Sequence, residues 1–163
     1  MLFRSKIAVA VQQMWKDVLG IDAQISSQEL AVYYKTVRSK ETPQVYRLGW
    51  CQDYMDAANF LNDAVSSGGS VNPTVNGVAG AEPSGGLMWF NEKFEESVDT
   101  AQVLEDTAER TKLYAEAENI LVYEDAVLAP LYWYTRSQLC DPAVNRTYSI
   151  LGGKEYFYKW SLK

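Results

Sequence analysis

Three carboxylates and two thiols carry the chemistry this chain could perform. Asp53 and Asp56 lie together in the stretch Val45–Leu61 (VYRLGWCQDYMDAANFL), Glu29 precedes them, and Cys51 and Cys140 stand far apart. Histidine is absent, which removes the commonest general base and metal ligand, and with it Ser-His-Asp, Cys-His and His-based zinc sites. No G-x-S-x-G nucleophile motif occurs, and no CxxC or other metal spacing. For catalysis that leaves a carboxylate pair, Asp53 with Asp56 or Glu29, of the kind a hydrolase uses for acid–base work. For binding it leaves a single carboxylate that faces a cation, and no chemistry at all.

The elements around these residues decide between the two. Val45–Trp50 is β-branched and aromatic, follows Pro43 and precedes a polar turn, and so predicts a strand. The turn Cys51–Tyr54 places Asp53 just beyond the strand's carboxyl end, where ligands of open α/β sheets collect. Asp56 stands at the N-cap position of a helix through Ala57, Ala58, Phe60 and Leu61, which makes it a cap first. Upstream, Ile7, Ala10, Val11, Met14, Trp15 and Val18 recur at helical spacing, Gly20 stops that helix, and Ile21–Ile25 alternates as a strand. A second helix starts at Ser27 or Gln28 and runs through Leu30, Tyr33, Tyr34 and Val37. Helix, strand, helix, strand, helix predicts an α/β fold with mainly parallel pairing.

Downstream the composition shifts. A stretch of about 65–88 is rich in Gly, Ser, Asn and Pro and is expected to be an exposed, mobile loop. Asn91 opens a helix bearing Phe94, Val98 and Ala101, and a second runs from Ala108 to about Glu124, with Leu113, Tyr114, Ala117, Ile120 and Leu121 at helical spacing. The charged residues of both are expected on solvated faces. Ala126–Tyr134 (AVLAPLYWY), broken by Pro130, predicts an edge or bulged strand.

The 163 residues suffice for one domain with a core. A net charge of −6 provides no basic stripe to neutralise phosphates, so nucleic acid is excluded as a partner. Aromatic residues make up 13% of the chain, enough for an aromatic-rich core or for a ligand-facing surface. No run approaches the roughly 20 apolar residues of a membrane span. Ile7–Val11 is too short for a signal peptide and lacks a small-residue cleavage site after it. For Cys51 and Cys140, a disulfide and two free thiols both remain open.

Gly49–Leu61 (GWxxDYxDxxNFL) resembles a segment of the extracytoplasmic solute-binding proteins of family 5, the peptide ABC importer receptors of oligopeptide- and dipeptide-binding type. Other segments resemble the family in the same order: QQMWKDVLGIDAQI, NEKFEESVDTA, the series Asp106, Arg110, Tyr114, Ala117, Ile120 and Leu121, then LAPLYWYTRSQL and the aromatic YFYKW of Tyr156–Trp160. The resemblance runs from Lys6 to Lys163 and leaves 1–5 as an unmatched, foreign-looking start.

It implies the C-terminal lobe of a two-lobed, type II periplasmic-binding-protein-like fold, a mainly parallel sheet flanked by helices. Residues 6–163 would form the second lobe and tail, with the N-terminal lobe and the targeting signal outside this sequence and Tyr156–Trp160 a closing aromatic strand. It implies a receptor rather than an enzyme, periplasmic or otherwise extracytoplasmic, with lipid anchoring of the full-length protein left open. A peptide would be the ligand, and a membrane permease and the N-terminal lobe the partners, without metal or cofactor. By the resemblance, Asp53 takes the peptide's α-ammonium. Arg47, Leu48, Gly49 and Trp50 offer main-chain groups as in strand addition, with Cys51 and Tyr54 completing the ligand-binding stretch. Cys51 mainly anchors the turn, and in some relatives its disulfide partner lies in the lobe not present here. Tyr132 and Tyr134 share a strand face that could line the cleft. Related proteins bind oligosaccharides, nickel complexes or opines, so the same scaffold with a sugar or another solute is the alternative.

Overall fold

Asn91 and Thr107 start the two helices on which the core is built. Asn91 Oδ1 accepts the Phe94 N–H at 3.1 Å and Thr107 Oγ1 accepts the Arg110 N–H at 3.3 Å, each satisfying a donor that the first helical turn leaves over. In the computed structural model these are α4 (Glu92–Val103) and α5 (Ala108–Asn119); three helices precede them, α1 (Leu2–Leu19), α2 (Leu30–Val37) and the single turn α3 (Ala58–Phe60). α3 and α5 each run on into a π-helical turn, Leu61–Val65 and Ile120–Glu124. The structure describes residues 2–73, 85–133, 135, 137–148 and 156–163, with backbone alone for 2–5.

The chain divides into two units, residues 1–35 and 36–163. In the first, α1 ends as expected at Gly20, whose φ of +70° lets its N–H return to Lys16 C=O at 3.1 Å. Ala10, Met14 and Val18 of its apolar stripe are exposed. α2 begins at Leu30, slightly later than its sequence predicts, because the Glu29 carboxylate caps it, accepting the Ala31 and Val32 N–H groups at 2.9 and 3.4 Å.

In the second unit, Phe94, Val98 and Ala101 of α4 meet Tyr114 and Ala117 of α5, with Ile120 and Leu121 continuing the face. Ala58, Leu61, Ala64 and Val65 close over them, and Leu48, Trp50, Leu87 and Trp89 pack at the edge. Phe94 is fully buried and meets the Trp89 ring edge-on at 4.8 Å.

The predicted parallel sheet is absent among the described residues. Among the described residues the sheet consists of β1 (Val144–Asn145) and β2 (Ser161–Leu162), which pair antiparallel, Val144 opposite Leu162. Val45–Trp50, Ile21–Ile25 and the described part of Ala126–Tyr134 belong to no strand. β-propensity favours a pleated, half-buried surface, but a strand needs a ladder to pair with. Lacking one, these segments are held by other means. Leu48 and Trp50 pack sideways on the helical core, Gln12 Nε2 donates to Ala23 C=O at 2.6 Å, and the Val127 N–H donates to Leu121 C=O at 2.9 Å. Tyr156–Trp160 likewise contains a 3-10 turn, Phe157–Lys159, rather than a strand.

The stretch of about 65–88 is not the open loop its composition predicts, at least at its ends; 74–84 lie outside the described residues. Val65, Val71 and Asn72 are buried. Asn72 Nδ2 donates to the carbonyls of Val65 and Trp89 at 3.0 and 2.8 Å, and the Ser67 N–H donates to Glu95 Oε1 at 2.8 Å. Burial holds the Glu95 carboxyl above its ordinary range, against that hydrogen bond. Gly85 and Gly86 sit at φ +89° and +75°, and a Cβ on either would lie 2.4–2.5 Å from backbone of Arg38 or Val71. Their neighbours close a neck: Gly86 N–H to Val37 C=O at 2.8 Å, Leu87 N–H to Val71 C=O at 3.0 Å.

Candidate functional site

Three of the predicted ligand-contacting residues, Trp50, Asp53 and Tyr54, are linked to one buried amide. Asn59, on α3, is 1% exposed. Its Oδ1 accepts the Trp50 indole N–H and the Asp53 main-chain N–H, both at 3.0 Å. Its Nδ2 donates to Asp63 Oδ2 at 3.0 Å, and the same oxygen accepts the Tyr54 hydroxyl at 2.7 Å. That bond pushes the Tyr54 phenol above its ordinary range, since ionisation would set two negative oxygens together. Trp50, Asp53 and Tyr54 are thus tied into one network from three different sequence positions.

Asp53 is exposed, and among the described residues it is held through its backbone N–H, which leaves its carboxylate on a fixed main chain. Asp56 is the opposite case. Its Oδ1 accepts the Ala58 N–H at 2.8 Å and Arg110 Nη2 at 2.7 Å. The Arg110 bond, helped by the Ala58 N–H, holds its carboxyl below the ordinary range despite partial burial. The capping role predicted for Asp56 is present one position early, since the residue beside the helix is Ala57.

Arg110 corrects the expectation that the charges of α5 merely face solvent. Besides Asp56 it donates through Nε to Ala101 C=O at 3.0 Å and lies 4.9 Å above the Tyr114 ring. Burial raises the Tyr114 phenol above its ordinary range. The chain thereby joins the end of α4, α5 and the start of α3 at one guanidinium.

Gly49 and Arg47 are exposed, while Leu48 and Trp50 are half-buried against the core. Cys51 is an exposed free thiol and Cys140 a half-buried one, so no disulfide joins them. Tyr132 is exposed; Tyr134 lies outside the described residues. Trp133, Phe157 and Tyr158 are also exposed. Among the described residues no three acidic or thiol side chains converge as a metal site would require, and no helix is long and apolar enough to cross a membrane.

A hydrolytic carboxylate pair finds little support. Glu29 caps α2 and Asp56 is ion-paired, whereas a general acid needs a raised pKa. Sequence reasoning missed Asn59, Asp63 and the inward turn of Arg110. The available signal was an asparagine three residues beyond Asp56, at the start of an apolar helical run.

Residues 2–72 match the family described as bacterial extracellular solute-binding proteins, family 5 middle. The chain is 32% identical over 153 residues to the oligopeptide-binding protein OppA of Bacillus subtilis, covering 94% of this chain and 25% of that protein. It is 34% identical over 140 residues to the periplasmic oligopeptide-binding protein OppA of Salmonella typhimurium, covering 85% and 23%. With the periplasmic murein peptide-binding protein MppA of Escherichia coli the identity is 33% over 138 residues, covering 84% and 22%. The chain therefore spans about a quarter of the length of these relatives. No solved structure matches it.

Proposed function

The chain belongs to the bacterial extracellular solute-binding proteins of family 5, and from that premise we propose that it contributes the peptide-capturing part of an ABC importer receptor. The relatives named for oligopeptides and murein peptides support this reading. The observation that carries it is the state of Asp53, an exposed carboxylate on a main chain pinned by a buried side chain, inside the stretch that matches the family model. Such a carboxylate makes a charge-assisted bond to an α-ammonium without having to be ordered first. Arg47, Leu48, Gly49 and Trp50 lie outside the two-stranded sheet, and this stretch is the one proposed to offer main-chain groups to an extended peptide. Main-chain recognition tolerates varied side chains, as an importer of mixed peptides requires.

In this reading the protein performs no chemical step. Its partners are the peptide, a membrane permease and an N-terminal lobe, its location is extracytoplasmic, and residues 6–163 are the second lobe and C-terminal tail of a two-lobed receptor. The exposed Tyr132, Trp133, Phe157 and Tyr158 favour one alternative on the same scaffold, an oligosaccharide stacked on aromatic faces. Calorimetric titration with tri-alanine, N-acetyl-tri-alanine and maltotriose separates the readings. Binding of the free peptide well above the acetylated one supports peptide capture through the α-ammonium; binding of maltotriose alone overturns it.

A further inference from the structure

We propose that Asn59 is a positioning residue for ligand capture: one buried amide sets the orientation of the Asp53 carboxylate, the Trp50 ring and, through Asp63, the Tyr54 ring. The inference rests on the reading that Asp53 meets the peptide, and it adds a residue that touches no ligand. Its basis is geometric. Both lone-pair directions of Asn59 Oδ1 are used by the stretch to be positioned, one by the Trp50 indole and one by the Asp53 main chain, each at 3.0 Å. Its donor side is used too, toward Asp63 at 3.0 Å, and Asp63 in turn holds Tyr54 at 2.7 Å.

Only a short side chain with acceptor and donor on one carbon satisfies this set. Aspartate would keep the two accepted bonds but set a second carboxylate against Asp63. Glutamine would push the amide a methylene too far. The stretch has no ladder to fix it, because it belongs to no sheet. Its main chain is fixed instead by a side chain from the helix that follows. A main-chain N–H held at Asp53 limits where that residue's carboxylate can point while leaving the carboxylate itself uncommitted. A ligand ammonium then finds the charge already placed, which lowers the ordering cost of binding.

A double-mutant cycle tests this in the full chain, read by calorimetric titration with tri-alanine and N-acetyl-tri-alanine. Asn59→Ala should weaken tri-alanine about tenfold, the size expected for losing pre-placement of one charged contact. Added to Asp53→Asn, it should weaken tri-alanine by less than about twofold further, and it should hardly move the acetylated peptide in either background. Asp63→Ala, at an exposed side chain that folding should tolerate, provides the second route. It frees the Asn59 donor and should weaken tri-alanine about threefold, again only while Asp53 is intact. Asn59→Ala that lowers melting temperature yet leaves the free-to-acetylated affinity ratio unchanged overturns the inference, as does a loss that persists undiminished beside Asp53→Asn. Should Asn59→Ala fail to fold, the Asp63→Ala cycle decides by the same criteria. If Asp53→Asn alone leaves tri-alanine binding at the wild-type level, the peptide reading of the site itself is what fails, and the positioning role falls with it.

Discussion

Arg110 Nη2 meets Asp56 Oδ1 at 2.7 Å across 54 positions of sequence, and the same oxygen accepts the first N–H of α3. One carboxylate oxygen therefore couples the entry of α3 to the middle of the helical core. The pair is shielded, with side-chain exposures of 28% for Asp56 and 15% for Arg110. Arg110 has three further attachments, at Ala101, at the Tyr114 ring and at its hydroxyl, so it is pre-organised before it meets the carboxylate.

Asp56→Asn preserves a capping oxygen but removes the charge. It should lower the melting temperature at pH 7 by a few degrees, roughly the scale of a 1 kcal/mol loss in a domain of this size, and leave ligand affinity near wild type. The pH dependence is specific. The folded state lowers the Asp56 pKa below its ordinary 3.8, so the stabilisation is complete above that value and is lost as pH falls through the folded value. Melting curves of wild type and variant should differ by a constant amount above about pH 5 and converge in stronger acid. A difference that persists unchanged at pH 2 would contradict the ion pair's role.

Asp53→Asn should behave in the reverse manner. Its side chain is exposed and its backbone bond to Asn59 survives, so melting temperature without ligand should hardly move. A charge-assisted bond contributes roughly 1.5–3 kcal/mol, so affinity for a free tripeptide should fall about 10- to 150-fold. Calorimetry on both states measures this directly, and unchanged affinity removes Asp53 from the site.

Asn91→Ala removes a helix cap. It deletes the acceptor for the Phe94 N–H and one of two donors to Asp125, the other being the Trp89 indole at 2.9 Å. These two donors hold the Asp125 carboxyl below its ordinary range. The expected cost is about 1 kcal/mol, read as a lower urea midpoint with unchanged slope.

Phe94→Ala empties the centre of the core. Phe94 is 0% exposed and packs on Trp89, so a loss of about 3–5 kcal/mol is expected, with cavity formation contributing. Trp89 fluorescence should shift to the red as water reaches the indole. A loss below about 1 kcal/mol would mean that the core had collapsed around the gap.

The parts legible in the sequence are those fixed by short-range signals. Gly20 and Asn91 mark a helix end and a helix start by side-chain and backbone chemistry within one turn, and α4 and α5 follow from apolar spacing alone. Val45–Trp50 misled because residue type records suitability for a pleated surface, whereas pairing depends on a neighbour that local sequence cannot supply. Arg110 looked like a surface charge because its partner is distant in sequence. Asp53 and Asn59 both stand in the family pattern, yet the role of the amide was not legible, since an asparagine beside an apolar run usually marks only a helix boundary. The aromatic residues divide between the two places their number allows: Trp50 sits half-buried on a hydrogen bond, while Trp133 and Tyr158 are exposed.

The glycine neck has a use for protein engineering. Gly85 and Gly86 admit no side chain, and the bonds from Gly86 to Val37 and from Leu87 to Val71 bring the two ends of the 73–85 connection to a fixed distance. Residues 73 and 85 are each bordered by packed structure, which an insertion between them would have to leave in place. Doubling the length of such a connection costs only about 0.6 kcal/mol in closure entropy. The position is therefore a port: a short epitope or a fluorophore-bearing peptide spliced there should report on the protein in solution while the melting temperature stays within about 2–3 °C of the parent. The same graft combined with Gly86→Ala should not be tolerated, because the bracket itself would have to open.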